Sequence, residues 1–176
     1  MQFEFAEQLT HPASTVYLIM RDRMAEVVPL VPNVESIEVL KRELRPDGRL
    51  HVLNRWQGSP SATPKAIRPF VKPAYTAWLD DALWDDQRSL VEWKFQTDHL
   101  GGLYRCEGIN YFTDNGQGGC TVRLTGELEL YPEKVTGVPH FVARKLAPIL
   151  EKWLLGLVSP NLAEAPKAVQ LFLDRV

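Results

Sequence analysis

Hydrophobic and polar positions alternate along most of this chain, and the order of the alternating blocks is informative. Phe3 and Phe5 stand against Gln2, Glu4 and Glu7, which predicts a strand over 2–8, half-buried on one face. Thr10 to Ser14 supplies capping chemistry and a proline suited to a first helical turn. Two short helices are predicted next, over Val16–Met20 and Met24–Leu30, the second ended by Pro29 and Pro32. Strand-like segments then run in series: Val34–Leu44, Leu50–Gln57, Tyr75–Trp84, Leu90–Gln96, Leu103–Thr113 and Cys120–Tyr131. Pro46-Asp47-Gly48, Asp85-Asp86 and Asp114-Asn115-Gly116 are the turns between them. In the last segment Cys120, Val122, Leu124, Leu128 and Leu130 alternate with Thr121, Arg123, Thr125, Glu127 and Glu129, so one face is packed and the other wet. Gly126 interrupts the apolar series where a strongly curved sheet would bend.

From near Pro139 the period changes to that of a helix. Val142, Leu146, Ile149, Leu150, Trp153, Leu154 and Leu157 share one broad face, and Pro148 should kink it. Ser159-Pro160-Asn161 ends this helix, and a last short one is expected over Ala163–Asp174. The order predicts an α+β protein with a seven-stranded antiparallel sheet. A curved sheet with a late helix across it usually encloses a cavity.

The length of 176 residues fits one domain, 1–176, with a full-sized core. A net charge of −2, with no basic stripe interleaved with aromatics, argues against nucleic acid. The apolar stretch Val138–Val158 contains His140, Arg144, Lys145, Glu151 and Lys152, so it is no membrane span. The N-terminus lacks a basic flank before an apolar core, so no secretory signal is expected. Cys106 and Cys120 fall on neighbouring strands of one hairpin. A turn around Asn115-Gly116 sets Cys106 opposite a residue near Glu127 and Cys120 opposite one near Thr113. They are expected as free, buried thiols in a cytoplasmic protein. His11, His51, His99 and His140 are scattered, so no metal is expected. No phosphate-cradling loop and no nucleophile elbow is present, and no cofactor is expected.

The segment His11-Pro-Ala-Ser-Thr-Val-Tyr through Val31-Pro-Asn-Val-Glu-Ser-Ile-Glu-Val-Leu, with Gly126-Glu127 and the long closing helix, resembles the START-like superfamily, also called SRPBCC or helix-grip. Its members include lipid-transfer domains, pollen-allergen-type carriers and polyketide aromatase/cyclases. The resemblance covers essentially the whole chain. It implies a helix-grip sheet and a cavity, and it leaves the chemistry open. Two features depart from the family. Residues 58–73 are long and proline-rich for a hairpin loop, and residues 160–176 form a helical extension beyond the closing helix.

If the even positions of the last strand point inward, its neighbours offer Asn54, Trp56, Trp93, Phe95, Tyr104, Asn110 and Phe112 to the interior. The closing helix adds Val142, Leu146, Leu150 and Trp153. Such a lining suits a lipid-like or polycyclic ligand, held by burial and oriented by a few hydrogen bonds. The alternative is that the aromatics fill a solid core. Lys65, Arg68, Phe70 and Lys72 mix cations with an apolar residue, as a loop touching an anionic membrane would; a proline-stiffened surface loop is the plainer account. The leading expectation is binding, with transfer, of a hydrophobic small molecule or lipid. A cyclase- or dehydratase-like enzyme is the runner-up, with Tyr104, Asn54 and Asn110 orienting and Arg55 or His51 taking part if the faces are reversed. The inward set holds no group titrating near neutrality, so no catalytic residue is assigned. An interaction module acting on a protein partner is a third class without a specific signal.

Overall fold

The computed structural model describes residues 1–59, 76–96, 104–131 and 162–175. The helix expected from Pro139, with Val142, Leu146, Leu150 and Trp153, lies outside them. So does the expected docking loop with Lys65, Arg68, Phe70 and Lys72.

Strand β1 spans Gln2–Leu9 and leads into helix α1, Ala13–Asp22. Helix α2, Met24–Val27, runs into a tighter turn of helix at Val28–Leu30, where Pro29 cannot extend the α pattern. The remaining strands are β2 (Val34–Leu44), β3 (Leu50–Gly58), β4 (Ala77–Asp85), β5 (Leu90–Gln96), β6 (Tyr104–Asp114) and β7 (Cys120–Leu130). A final helix, α3, covers 162–173. The strands form one antiparallel seven-stranded sheet in the order β1-β7-β6-β5-β4-β3-β2. β2 to β7 are a meander of neighbours, and β1 is carried across by the helices to pair with β7 at the far edge. This is the α+β helix-grip arrangement, a curved sheet with helices on one face.

The expected faces hold along β3, β5, β6 and β7. In each cross-strand row the partners share a face, so the register fixes the inner side. One row runs Phe3, Gly126, Gly108, Trp93, Ala82, Val52. Here the sheet trades side chains for close packing. A Cβ on Gly108 would lie 2.2 Å from the Thr125 carbonyl oxygen and 2.5 Å from the Trp93 ring. The Trp93 indole therefore fills the space a side chain at 108 would take. Phe3 does the same over Gly126, where a Cβ would meet its ring at 2.5 Å.

Helix α1 seats on the next part of this face. Tyr17 meets Trp84 and Phe112 edge-on, with both centroid distances 5.2 Å. Its hydroxyl donates to Asp86 Oδ1 at 2.7 Å, and Arg21 bonds Asp86 and Asp22 together. Helix α3, expected as an extension, reaches the same core: Ala168 and Val169 are fully buried. Gln170 exchanges two hydrogen bonds of 2.8 Å with Thr10, and His11 and Asp174 stand 2.9 Å apart.

As expected, the two cysteines are not cross-strand partners. The β6–β7 hairpin closes on Asp114 opposite Cys120, so Cys106 faces Leu128 and Cys120 faces Asp114. Each partner is the neighbour of the residue named from the sequence, Glu127 or Thr113. Asn115 Oδ1 accepts from the Gln117 and Gly119 backbone N–H groups, and Gly116 and Gly118 have φ of 73° and 85°, so the loop 115–119 is held from within by the Asn115 side chain. Both cysteines are free and buried, and burial pushes the Cys106 thiol up to about 12.

Candidate functional site

The inner face divides into two ends. Near α1, the apolar side chains of β4 to β7 are packed shut. Trp93 is 4% exposed and donates its indole N–H to Asn110 Oδ1 at 2.9 Å, wholly inside the protein. Phe112 is sealed beneath Tyr17 and beside Trp84. Trp93, Asn110 and Phe112 thus face inward as expected, but they saturate one another as core.

The other end is different. Asn54, Trp56, Phe95 and Tyr104 also face inward, and all are half-buried. The register adds two residues that the sequence reading did not place. Trp78 sits opposite Trp56, and Asp80 opposite Asn54 on one side and Phe95 on the other. The Trp56 and Trp78 rings stack with centroids 5.8 Å apart and planes 8° apart. Phe95 links them to the core, 6.4 Å from Trp78 and 4.6 Å from Trp93.

Asp80 corrects the expectation that the interior holds no group titrating near neutrality. Burial pushes its carboxyl up to about 7, against hydrogen bonds from Trp56 and Asn54 that favour the charged form. The Trp56 indole N–H lies 3.3 Å from Asp80 Oδ2. The neighbouring Asp81 raises it further. Beside it, Asn54 Oδ1 and the Trp78 indole N–H are buried without a hydrogen-bond partner. Leaving such groups unpaired costs about 1–3 kcal/mol each. The signal was present in the sequence: Asp80 and Asp81 are adjacent in a strand, so one carboxyl must point inward.

The outer face carries the charges. His51 Nε2 meets Asp81 Oδ1 at 2.7 Å there, and Arg55, Arg105, Glu107 and Lys94 lie on the same side. His51 and Arg55 therefore do not reach the inner site. An outer hollow of about 870 Å³ is lined by Glu4, Asp81, Glu92, Lys94, Glu107 and Glu127 among others. Arg49 and Arg88 reach Glu92, and Arg105 and Lys94 reach Glu107, so this face is a solvated lattice of ion pairs. Among the described residues no cluster suits a metal ion, and no helix is long and apolar enough to cross a membrane.

No family profile and no curated protein matches the chain. Solved structures do. The crystal structure of TTHA0849 from Thermus thermophilus is 23% identical, with a TM-score of 0.65 over 98% of this chain and 99% of that one. Zhui aromatase/cyclase from a Streptomyces species is 14% identical, with a TM-score of 0.59 over 96% and 95%. A START superfamily protein from Mycobacterium smegmatis is 14% identical, with a TM-score of 0.55 over 99% and 97%. The agreement spans nearly the whole of both chains in each pair. The chain has the START-like, helix-grip fold.

Proposed function

We propose that the protein binds, and transfers, a hydrophobic small molecule or lipid against the inner face of its sheet, at the Trp56–Trp78–Phe95 end. One observation carries this reading. The inner face is packed shut near α1, yet its other end keeps an aromatic floor half-buried around a few convergent polar groups. Apolar walls with few polar atoms are the ordinary composition of a small-molecule site. Native mass spectrometry of the purified protein, followed by solvent extraction, tests it. A co-purified lipid or polycycle that disappears in Trp78→Ala supports the reading. A clean mass, with no hydrophobic probe bound in titration, refutes it.

Asp80 favours a second reading. A carboxyl that exchanges its proton near neutrality within an apolar wall has the property of a general acid or base. A cyclase- or dehydratase-like enzyme would use it to move a proton on a bound substrate, as the fold shared with an aromatase/cyclase allows. Turnover of a polyketide mimic that is lost in Asp80→Asn while binding persists would favour this reading over a carrier.

A further inference from the structure

We propose that the Asp80 end of the inner face takes a hydrophobic amine, whose ammonium group is received by Asp80 and Asn54 and whose apolar body lies on Trp56, Trp78 and Phe95. This rests on the hydrophobic-ligand reading above and adds a charge to that ligand.

The first ground is a missing partner. Among the described residues the charge acting on Asp80 is that of Asp81, of the same sign, and no cation is paired with Asp80. A buried carboxylate is stable when a positive charge sits beside it. The second ground is the balance of donors and acceptors. Asp80 offers carboxyl oxygens, and Asn54 Oδ1 is a buried acceptor with nothing to accept. An ammonium group brings three donors and no acceptor, so it can serve both. The third ground is the surrounding surface. Two nearly parallel indoles and a phenyl ring flank the carboxyl, and aromatic faces attract cations. A ligand carboxylate could accept from the unpartnered Trp78 indole N–H, but it would also face the Asp80 carboxyl and the Asn54 amide oxygen.

The groups around Asp80 make the preference sensitive to pH. β3 presents Asn54 and Trp56, and β5 presents Phe95. β6 adds Cys106 in the same row and Tyr104 in the next, and β2 adds Val39 and, one row along, Arg42, which is bonded to Asp22. Burial keeps Cys106 neutral in the physiological range. The titrating group at this end of the described face is Asp80 itself. Its protonation removes the negative charge that an ammonium would meet.

Isothermal titration calorimetry with naphthylmethylamine and its neutral isostere naphthylmethanol tests the inference on the full-length protein. The amine is expected to bind about tenfold tighter than the alcohol at about pH 8. That advantage is expected to vanish at about pH 5, where Asp80 holds its proton. Asp80→Asn should bind both probes alike at either pH. Equal binding of the two probes by the parent protein at both pH values overturns the amine inference and leaves the hydrophobic site standing. A preference that survives in Asp80→Asn also overturns it. Failure of both probes to bind overturns the hydrophobic-ligand reading as well.

Discussion

At Asp80, burial and ionisation oppose each other. The unfolded carboxyl ionises near its ordinary value of 3.8, while the folded one holds its proton to about 7. Between those values the unfolded chain binds fewer protons than the native one, so stability falls as pH rises and levels off above the folded value. Asp80→Asn lacks this slope. Urea unfolding should find the variant about equal to the parent at about pH 4 and more stable by about 1–3 kcal/mol at about pH 8. A parent and variant with parallel pH profiles would show that Asp80 is not a buried, titrating group. At this scale the sequence was partly legible. The inward positions of Asn54, Trp56, Phe95 and Tyr104 followed from alternation. Trp93, Asn110 and Phe112 also face inward, but alternation gives a face and not an occupancy. Whether an indole meets a ligand or a neighbouring amide depends on packing that no single strand encodes. Trp78 and Asp80 were missed because the faces of their strand were not assigned.

Among the elements, the strands and both early helices were legible from periodicity, because each buries one face. The β6–β7 register was legible only to within one residue. It depends on how the Asn115 side chain folds the loop beneath it, a local hydrogen-bond choice that spacing does not fix. The close packing of these two strands rests on the paired glycines. Gly108→Ala forces a methyl against the Thr125 carbonyl oxygen and the Trp93 ring, both at sub-contact distance. Since one obstacle is backbone, the strand itself must shift. The expected loss is about 2–3 kcal/mol in chemical denaturation, within the range for overpacked cores. A loss below about 0.5 kcal/mol, the level of an ordinary surface substitution, would show that the sheet yields freely there.

Across the whole molecule, α3 joins residues far apart in sequence. Its Val169 is fully buried in the core that also holds Leu9, Val16 and Cys120. Val169→Ala removes buried methyl groups and leaves a void, so about 1–2 kcal/mol should be lost, read as a lower urea midpoint at unchanged slope. An unchanged midpoint would place α3 outside the cooperative unit. The fold class was legible at this scale because it follows from the order of periods along the chain. The contribution of α3 to the core was not, since a short amphipathic segment after a helix stop reads equally well as an appendage.

β1 and β2 follow each other in the chain but occupy opposite edges of the sheet. Strands β2 to β7 can zip up through short-range hairpins as they leave the ribosome. β1 must wait for β7, a contact spanning 127 positions between Met1 and Leu128. During synthesis the β7 edge and the aromatic inner face therefore stand unsatisfied together. High contact order of this kind slows folding and prolongs exposure of sticky surface. The arrangement that carries β1 across to β7 thus also makes the nascent chain dependent on a late, long-range event, and it marks β1 as the strand whose detachment would first open the sheet to aggregation.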